Sequence, residues 1–215
     1  DLATGRKSFT LPHGDSYLTE IQFSPDGTRL LTIASQDLRV WDLAQRHEVP
    51  ELRVSNVYRA TFDPTGLRLA IAEPGIGVLV LDARNGRRLF PAIRPDNFGV
   101  SGLAFTTDGK GLAIATESGF VRIWNADTGQ PATAPFSHTR AAMIRHLAVS
   151  TDGNFLATAG TDGSARIWDA RTGAGRVVLR GHEGEVRWAT FSPDGRTVAT
   201  GGDDGTVRLW DAGTG

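Results

Sequence analysis

Histidine, threonine and aspartate recur at similar spacing in two parts of the chain, and these residue types could form a hydrolytic triad. The two sets are His182, Thr200 and Asp204, and His138, Thr158 and Asp162. A hydroxyl nucleophile, a histidine base and an orienting carboxylate are the groups that such catalysis needs. The sequence has no GxSxG elbow, no HExxH, no glycine-rich phosphate loop and no carboxylate run at metal-ligand spacing. We therefore expect no cofactor and no metal, and the meaning of the two sets depends on the elements that hold them.

Both sets lie within a repeat that occurs five times. Copies of the string FSPDG begin at Phe23, Phe62, Phe105, Val149 and Phe191. A second landmark, Trp-Asp or its equivalent, follows each copy after 18 or 19 residues. A regular period of about 40 residues is typical of repeat architectures, in which each repeat is one supersecondary unit.

Each repeat is predicted to form four antiparallel strands. SPDG is a turn, because proline presets φ at its second position and glycine accepts a positive φ. Asp-Gly in DDGT is typical of a β-hairpin, and TVRLWD alternates polar and apolar residues as a half-buried strand does. The stretch GGDDG at 201–205 superficially resembles a calcium loop. The same position reads GTDGS and TESGF in other copies, which favours the hairpin.

A single sheet of about 40 residues cannot bury both faces, so radial stacking of the sheets predicts an all-β fold, a β-propeller. Gly181-His182, FSPDG and DDGTVRLWD, at this spacing, resemble the WD40 repeat over essentially the whole chain. We expect a single domain over 1–215 or part of one. Its repeats are centred on 12–43, 53–83, 94–126, 138–170 and 181–212.

The resemblance gives the triad-like sets a structural meaning. In WD40 repeats a His, a Ser or Thr, an Asp and a Trp form a buried hydrogen-bonded chain, which satisfies polar groups rather than performing catalysis. Copies five and four match it with His182, Thr200, Asp204 and Trp210, and with His138, Thr158, Asp162 and Trp168. The other copies depart from it. Copy three keeps Trp124 but has Ile114 and Ser118, copy two has Leu81 for Trp, and copy one keeps Thr32 and Trp41 but is one residue short at its hairpin.

The resemblance also implies where a partner binds. In the family, two contact positions flank the first core residue of the inner strand, and a third precedes the hairpin aspartate. The corresponding partner-binding positions are Tyr17, Thr19, Asn56, Tyr58, Met143, Arg145, Glu185, Arg187, Glu117, Thr161 and Asp203. Both tyrosines of the chain and its only methionine fall in this set, and Tyr, Met and Arg are enriched at protein interfaces.

The predicted function is a non-catalytic interaction scaffold or sensor that binds a protein partner or another domain of its own chain. The alternative is a small-ligand-binding or hydrolytic, lactonase-like propeller that uses the central channel. Glu20, Arg59 and His146 lie near that channel, but they include no carboxylate pair. Trp188 either lines the channel or fills a packing gap.

The amino-acid composition limits the classes of partner and the cellular location that we expect. Net charge is −1, so we expect no nucleic-acid partner, and no apolar run is long enough to cross a membrane. The absence of cysteine fits a reducing compartment and predicts a cytoplasmic protein. Arginine outnumbers lysine 21 to 2, which indicates a GC-rich, bacterial genome.

The ends of the sequence predict an incomplete ring. Residues 1–11 match the segment that follows Trp-Asp in other copies, so we expect them to form the outer strand of a preceding blade. Five copies are few for this family, which favours an arc cut from a longer propeller over a self-closed ring. An open arc exposes an apolar face, and we therefore expect self-association.

Overall fold

The computed structural model describes residues 9–13, 16–96, 99–138 and 142–215. Five antiparallel sheets follow one another along the chain, and we number them blades 1 to 5. The predicted all-β propeller architecture is confirmed. The one helical element among the described residues is a short 3-10 turn at Pro50–Leu52.

The first two blades have irregular outer edges. Blade 1 contains β1 (Leu18–Phe23), β2 (Arg29–Ala34), β3 (Asp37–Asp42), β4 (His47–Glu48) and β5 (Val54–Ser55). β4 and β5 both pair with β3, so its outer strand is split in two. Blade 2 contains β6 (Arg59–Phe62), β7 (Arg68–Glu73) and β8 (Gly77–Asp82).

The remaining three blades follow in chain order. Blade 3 contains β9 (Val100–Phe105), β10 (Gly111–Thr116), β11 (Phe120–Asn125) and β12 (Phe136–Ser137). Blade 4 contains β13 (Ile144–Val149), β14 (Phe155–Gly160), β15 (Ser164–Asp169) and β16 (Gly175–Arg180). Blade 5 contains β17 (Val186–Phe191), β18 (Thr197–Gly202) and β19 (Val207–Asp211).

The prediction of four strands in every repeat is wrong for blade 2 within the described residues. Its outer segment pairs with β8 through isolated bridges, Val78 with Ile93 and Leu81 with Arg88, and forms no continuous strand. Pro91 and Pro95 lie in and beside this segment, and proline cannot donate a hydrogen bond to a β-ladder. Blade 5 likewise has three strands between residues 186 and 211.

The short hairpin of copy one has a simple geometric explanation. Ser35 and Gln36 connect β2 to β3, and both have positive φ, at 47° and 67°. Positive φ at both central residues is the requirement of a two-residue type I′ turn. The missing residue therefore shortens the hairpin without disturbing the pairing of β2 with β3, although neither turn residue is glycine.

The core lies between the blades, where four apolar clusters each join two neighbouring sheets. Leu31 and Leu38 of blade 1 pack in one cluster with Leu69 and Leu79 of blade 2. Equivalent clusters join blades 2 and 3, 3 and 4, and 4 and 5. Each sheet is thus buried by the next, which makes the array rigid and fixes the loops at both rims.

The two end blades each keep one apolar face exposed in the described part of the chain. On blade 1 this face carries Leu18, Ile21 and Phe23, all more than half exposed. On blade 5 it carries Val207 and Leu209, which are 76% and 73% exposed. The described residues therefore form an open arc. Residues 1–8 of the predicted preceding strand lie outside the described residues, and residues 9–11 belong to no strand.

Candidate interaction face

The propeller presents two rims, and the predicted partner-binding positions share one of them. We call the upper face the rim that carries the starts of the first strands and the hairpins between the second and third strands. In blades 1, 3, 4 and 5 a backbone hydrogen bond holds the hairpin against the start of its own first strand. Thr161 N donates to Met143 O at 3.0 Å, and Asp203 N donates to Glu185 O at 2.9 Å. The opposite rim, with the SPDG turns, is the lower face.

A large cavity of about 720 Å³ opens on the upper face between blades 2, 3 and 4. It is lined by four of the predicted partner-binding residues, namely Tyr58, Glu117, Met143 and Arg145. We call this cavity the upper pocket. Its volume falls within the range of ligand-binding clefts, about 300–1,000 Å³.

The walls of the upper pocket mix an aromatic ring with both signs of charge. Tyr58 is 48% exposed, and the carboxyl of Glu117 lies directly over Gly99. Sequence reasoning missed Glu73 and Arg94, which also line the pocket. Glu73 belongs to the irregular second repeat, whose third contact position could not be assigned, and Arg94 lies at the start of the third repeat, before its first strand.

An ion-pair chain extends along the upper face from the pocket across blades 4 and 5. Arg145 donates to Glu185 Oε2 at 3.0 Å, and Arg187 lies 3.3 Å from the same carboxylate. Arg187 also donates to Asp203 at 2.7 Å and 2.9 Å. The hydrogen bond from Arg187 lowers the pKa of Asp203, so this carboxyl is ionised at neutral pH. Four predicted positions thus form one ion-paired network on the upper face.

The remaining predicted positions stand outside the pocket. Tyr17 is 87% exposed on blade 1, and Thr19 next to it donates to Ile33 O at 3.2 Å. Asn56 is exposed with a positive φ of 65°, and the Thr161 hydroxyl accepts a hydrogen bond from Met143 N at 3.0 Å. The eleven positions therefore spread over the whole upper face, with their densest group at the pocket and along blades 4 and 5.

The triad-like residues form closed hydrogen-bonded chains inside blades 4 and 5. Trp168 Nε1 donates to Thr158 Oγ1 at 2.8 Å, and His138 Nε2 lies 2.7 Å from the same oxygen. His138 Nδ1 lies 3.1 Å from Asp162. In blade 5, Trp210 Nε1 donates to Thr200 Oγ1 at 2.8 Å, and His182 Nε2 lies 2.7 Å from the same oxygen. His182 Nδ1 lies 2.9 Å from Asp204 Oδ2. Thr158 is fully buried and its hydroxyl already has two partners, so a substrate has no access to it.

The charge states follow from these contacts. Burial lowers the pKa of His138, which is therefore neutral at pH 7. Burial alone would raise the pKa of Asp162, but hydrogen bonds from Ser164 and His138 outweigh it and lower that pKa to about 2. A neutral imidazole that donates through Nδ1 to an ionised carboxylate is consistent with a structural chain.

Blade 1 forms a partial chain on Thr32 and Trp41. In the sequence His13 falls one place off the position that corresponds to His182, yet its Nε2 lies 2.5 Å from Thr32 Oγ1, and Trp41 Nε1 donates to the same oxygen at 2.8 Å. Asp37 instead pairs with Arg39 and Arg53. In blade 3 the chain is broken, because Ile114 replaces the threonine. The Trp124 indole nitrogen is buried with no partner among the described residues.

The residues near the central channel contact the next blade instead of converging on a common point. Arg59 donates to Ser101 O at 3.1 Å, and His146 Nδ1 lies 2.9 Å from Ala189 O. The His146 ring stacks on Trp188 at 3.6 Å between centroids, so Trp188 packs against blade 4 while remaining 57% exposed. Burial lowers the pKa of His146 to about 4 and raises the pKa of Glu20 to about 7.

No cluster of three or more metal-ligating side chains occurs among the described residues. In the same part of the chain, no helix is long and apolar enough to span a membrane.

The radial sheets define the class of protein as a β-propeller, and comparison with known proteins gives the family. Residues 5–42, 93–125, 130–169 and 175–211 match the family described as WD domain, G-beta repeat. These segments cover more than half of the chain, which therefore belongs to the WD40 family. The match leaves out the second repeat, the most divergent in its motif residues.

Two curated proteins are similar to part of the chain. Eukaryotic translation initiation factor 3 subunit I of Bombyx mori is 29% identical over 143 residues, covering 59% of this chain and 43% of that protein. The Set1 complex component swd2 of Schizosaccharomyces pombe is 29% identical over 136 residues, covering 60% of this chain and 38% of that protein. The matched region thus spans well under half the length of either relative.

Proposed function

We propose that this chain is a non-catalytic interaction platform whose upper face binds a protein partner or another domain of its own polypeptide. The observation that carries the proposal is the upper pocket, a cleft of about 720 Å³ bordered by Tyr58, Met143 and Arg145. Tyrosine, methionine and arginine are the residue types that protein interfaces favour.

Rigidity supports the same proposal. Each blade is buried against its neighbour, and Arg145, Glu185 and Arg187 are joined by ion pairs beside the pocket. A surface whose side chains are already ordered loses little conformational entropy on binding. The two relatives are a subunit of a translation initiation factor and a component of the Set1 complex, and both names denote parts of multi-protein assemblies.

The hydrolytic alternative has weaker support. A lactonase-like site needs several polar groups that converge in the central channel. Arg59 and His146 instead make hydrogen bonds to backbone carbonyls of the adjacent blade. Glu20 is the remaining ionisable residue of the three predicted channel positions, and burial raises its pKa to about 7.

We further propose a cytoplasmic location in a bacterium and a partner that is neither nucleic acid nor membrane. The absence of cysteine suits a reducing compartment, and the arginine-rich, lysine-poor composition suits a GC-rich genome. A net charge of −1 offers no overall attraction to phosphate backbones.

Self-association is a second proposed interaction, and the exposed apolar faces of the two end blades support it. Val207 and Leu209 occupy positions on blade 5 whose equivalents on blades 1 to 4 are buried against the next blade. Replacing both with serine should shift the 215-residue chain toward monomer in sedimentation velocity. An unchanged mass distribution, or a wild-type chain that is already monomeric, would contradict this proposal.

Partner binding is tested by isolating the partner on the wild-type chain and titrating it with Tyr58→Ala and Arg145→Ala. Each substitution should weaken binding by about 2 kcal/mol, as hot-spot truncations do. Leu67→Ser, exposed on the lower face, is the matched control and should bind normally. Normal binding by both upper-face variants would exclude the upper pocket as the interface.

A further inference from the structure

Each contact between neighbouring blades joins two different kinds of sheet face. We call the face that a blade turns toward the next blade its forward face, and the face turned toward the preceding blade its rear face. In blade 4 the forward face carries Ala165 and Ile167, which are buried. They share one apolar cluster with Ala189 and Phe191 on the rear face of blade 5. The other three clusters likewise join a forward face to a rear face.

The forward face of blade 5 repeats that of blade 4, but it is exposed. The strand registers place Val207 at the position of Ala165, and Leu209 at the position of Ile167. Val207 and Leu209 are both largely exposed, and Trp188 on the same face is more than half exposed. This face therefore has the apolar character of a blade contact without the burial.

The polar residues of this face do not distinguish it from a formed contact. Thr190 stands where blade 4 has Ala148, and Thr197 and Asp211 lie at the lower edge. Blade 4 carries Asp169 at the position of Asp211. Because blade 4 packs on blade 5 with that aspartate present, an aspartate at this edge is compatible with a packed interface.

The rear face of blade 1 repeats the rear faces of the later blades and is also exposed. Phe23 pairs across the sheet with Leu30, just as Phe62 pairs with Leu69 in blade 2. Phe62 is 5% exposed, whereas Phe23 is 63% exposed. Ile21, two residues before Phe23 on the same strand, is also more than half exposed.

The charged strand residues on the rear face of blade 1 pair with each other. Arg39 Nε lies 3.1 Å from Asp37 Oδ2. Blade 4 has a similar pair, in which Arg166 occupies the position of Arg39 and lies 3.4 Å from Asp162. Blade 4 packs against blade 3 with this pair in place, so the charges of blade 1 do not prevent its rear face from packing.

We propose that the forward face of blade 5 in one copy of the chain packs against the rear face of blade 1 in a second copy. Both faces are exposed in one chain, so they do not meet within it. A second copy carries the matching face, because Phe23 is the equivalent of Phe62 and Phe191. Such a contact is heterologous, since it joins unlike surfaces of two identical chains. The inference rests on the proposed self-association and names the two faces that meet.

Two variants, each blocked on one face, test this pairing. Leu209→Asp places a charge on the forward face of blade 5, and Phe23→Asp places one on the rear face of blade 1. Each variant alone should self-associate at least about thirtyfold more weakly than the wild type in sedimentation velocity. An equimolar mixture should form a two-chain species with nearly wild-type affinity, because the mixture keeps one intact pair of faces.

Val178→Asp is the matched control, because Val178 is an exposed apolar residue on β16, away from both end faces. It should self-associate as the wild type does. The substituted side chains are exposed, so each variant should unfold at the wild-type urea concentration. Val207→Asp and Ile21→Asp repeat the test if either of the first two variants is poorly folded.

The other pairings give different results. If blade 5 faces pair with each other, Leu209→Asp is monomeric and Phe23→Asp associates normally, and the reverse holds if blade 1 faces pair. Either result, or a mixture that stays monomeric, overturns the proposed pairing while self-association of the wild type stands. A wild-type chain that is monomeric excludes self-association itself. Partner binding at the upper pocket is measured separately with Arg145→Ala.

Discussion

Replacing Thr158 with valine tests whether the buried chain in blade 4 stabilises the fold. The two side chains have nearly the same shape, so the change removes a hydroxyl without opening a cavity. That hydroxyl accepts from Trp168 Nε1 at 2.8 Å and lies 2.7 Å from His138 Nε2. Its loss leaves one donor and one acceptor buried and unpaired, at about 1–3 kcal/mol each. The added methyl group recovers about 1 kcal/mol, so we expect a net loss near 3 kcal/mol.

Urea denaturation followed by tryptophan fluorescence measures this loss directly. Thr190→Val is the control, because Thr190 is exposed on β17, and it should change the free energy of unfolding by no more than about 0.5 kcal/mol. Equal stability of the two variants would refute the role assigned to the buried chain. That result would also mean that the Thr158 hydroxyl has a role other than stabilising the fold.

Two further predictions concern single residues. Trp168→Phe should cost about 1–2 kcal/mol more than Trp124→Phe in denaturant titration, because only Trp168 loses a hydrogen bond, whereas Trp124 Nε1 is buried without a partner in the described structure. The pKa of Glu20 is raised by burial to about 7, so the folded state favours its protonated form. The free energy of unfolding should therefore fall as pH rises from about 4.5 to about 7, by up to about 3 kcal/mol. Glu20→Gln should remove this fall, and an unchanged pH profile would show that Glu20 is not buried as described.

Most of the fold could be predicted from the repeat period, because turn chemistry and strand alternation are local properties of the sequence. SPDG turns and Asp-Gly hairpins depend on φ preferences that single residues set. The outer edge of blade 2 was not predictable in the same way. Whether an outer strand forms there depends on where Pro91 and Pro95 fall relative to the hydrogen-bonding edge of β8. That register is set by the three-dimensional structure.

The candidate site was predictable only at the level of strand positions. Counting from the first core residue located Tyr58 and Arg145 on the upper face. It did not reveal that Arg145 pairs with Glu185, since the two belong to different blades and meet only when the blades stack. Ile114 and Ser118 were likewise recognised as departures from the repeat, but the sequence did not show that Ser118 donates to Asp96 at 2.6 Å.

Hydrogen exchange of the wild-type chain, with and without its isolated partner, tests the central claim most directly. The account predicts that the partner protects amides of the upper face, in residues 73–77 and 142–145, while the lower-face turns at 25–27 and 151–153 exchange at unchanged rates. Protection confined to the lower-face turns, with no change at the upper pocket, would contradict it.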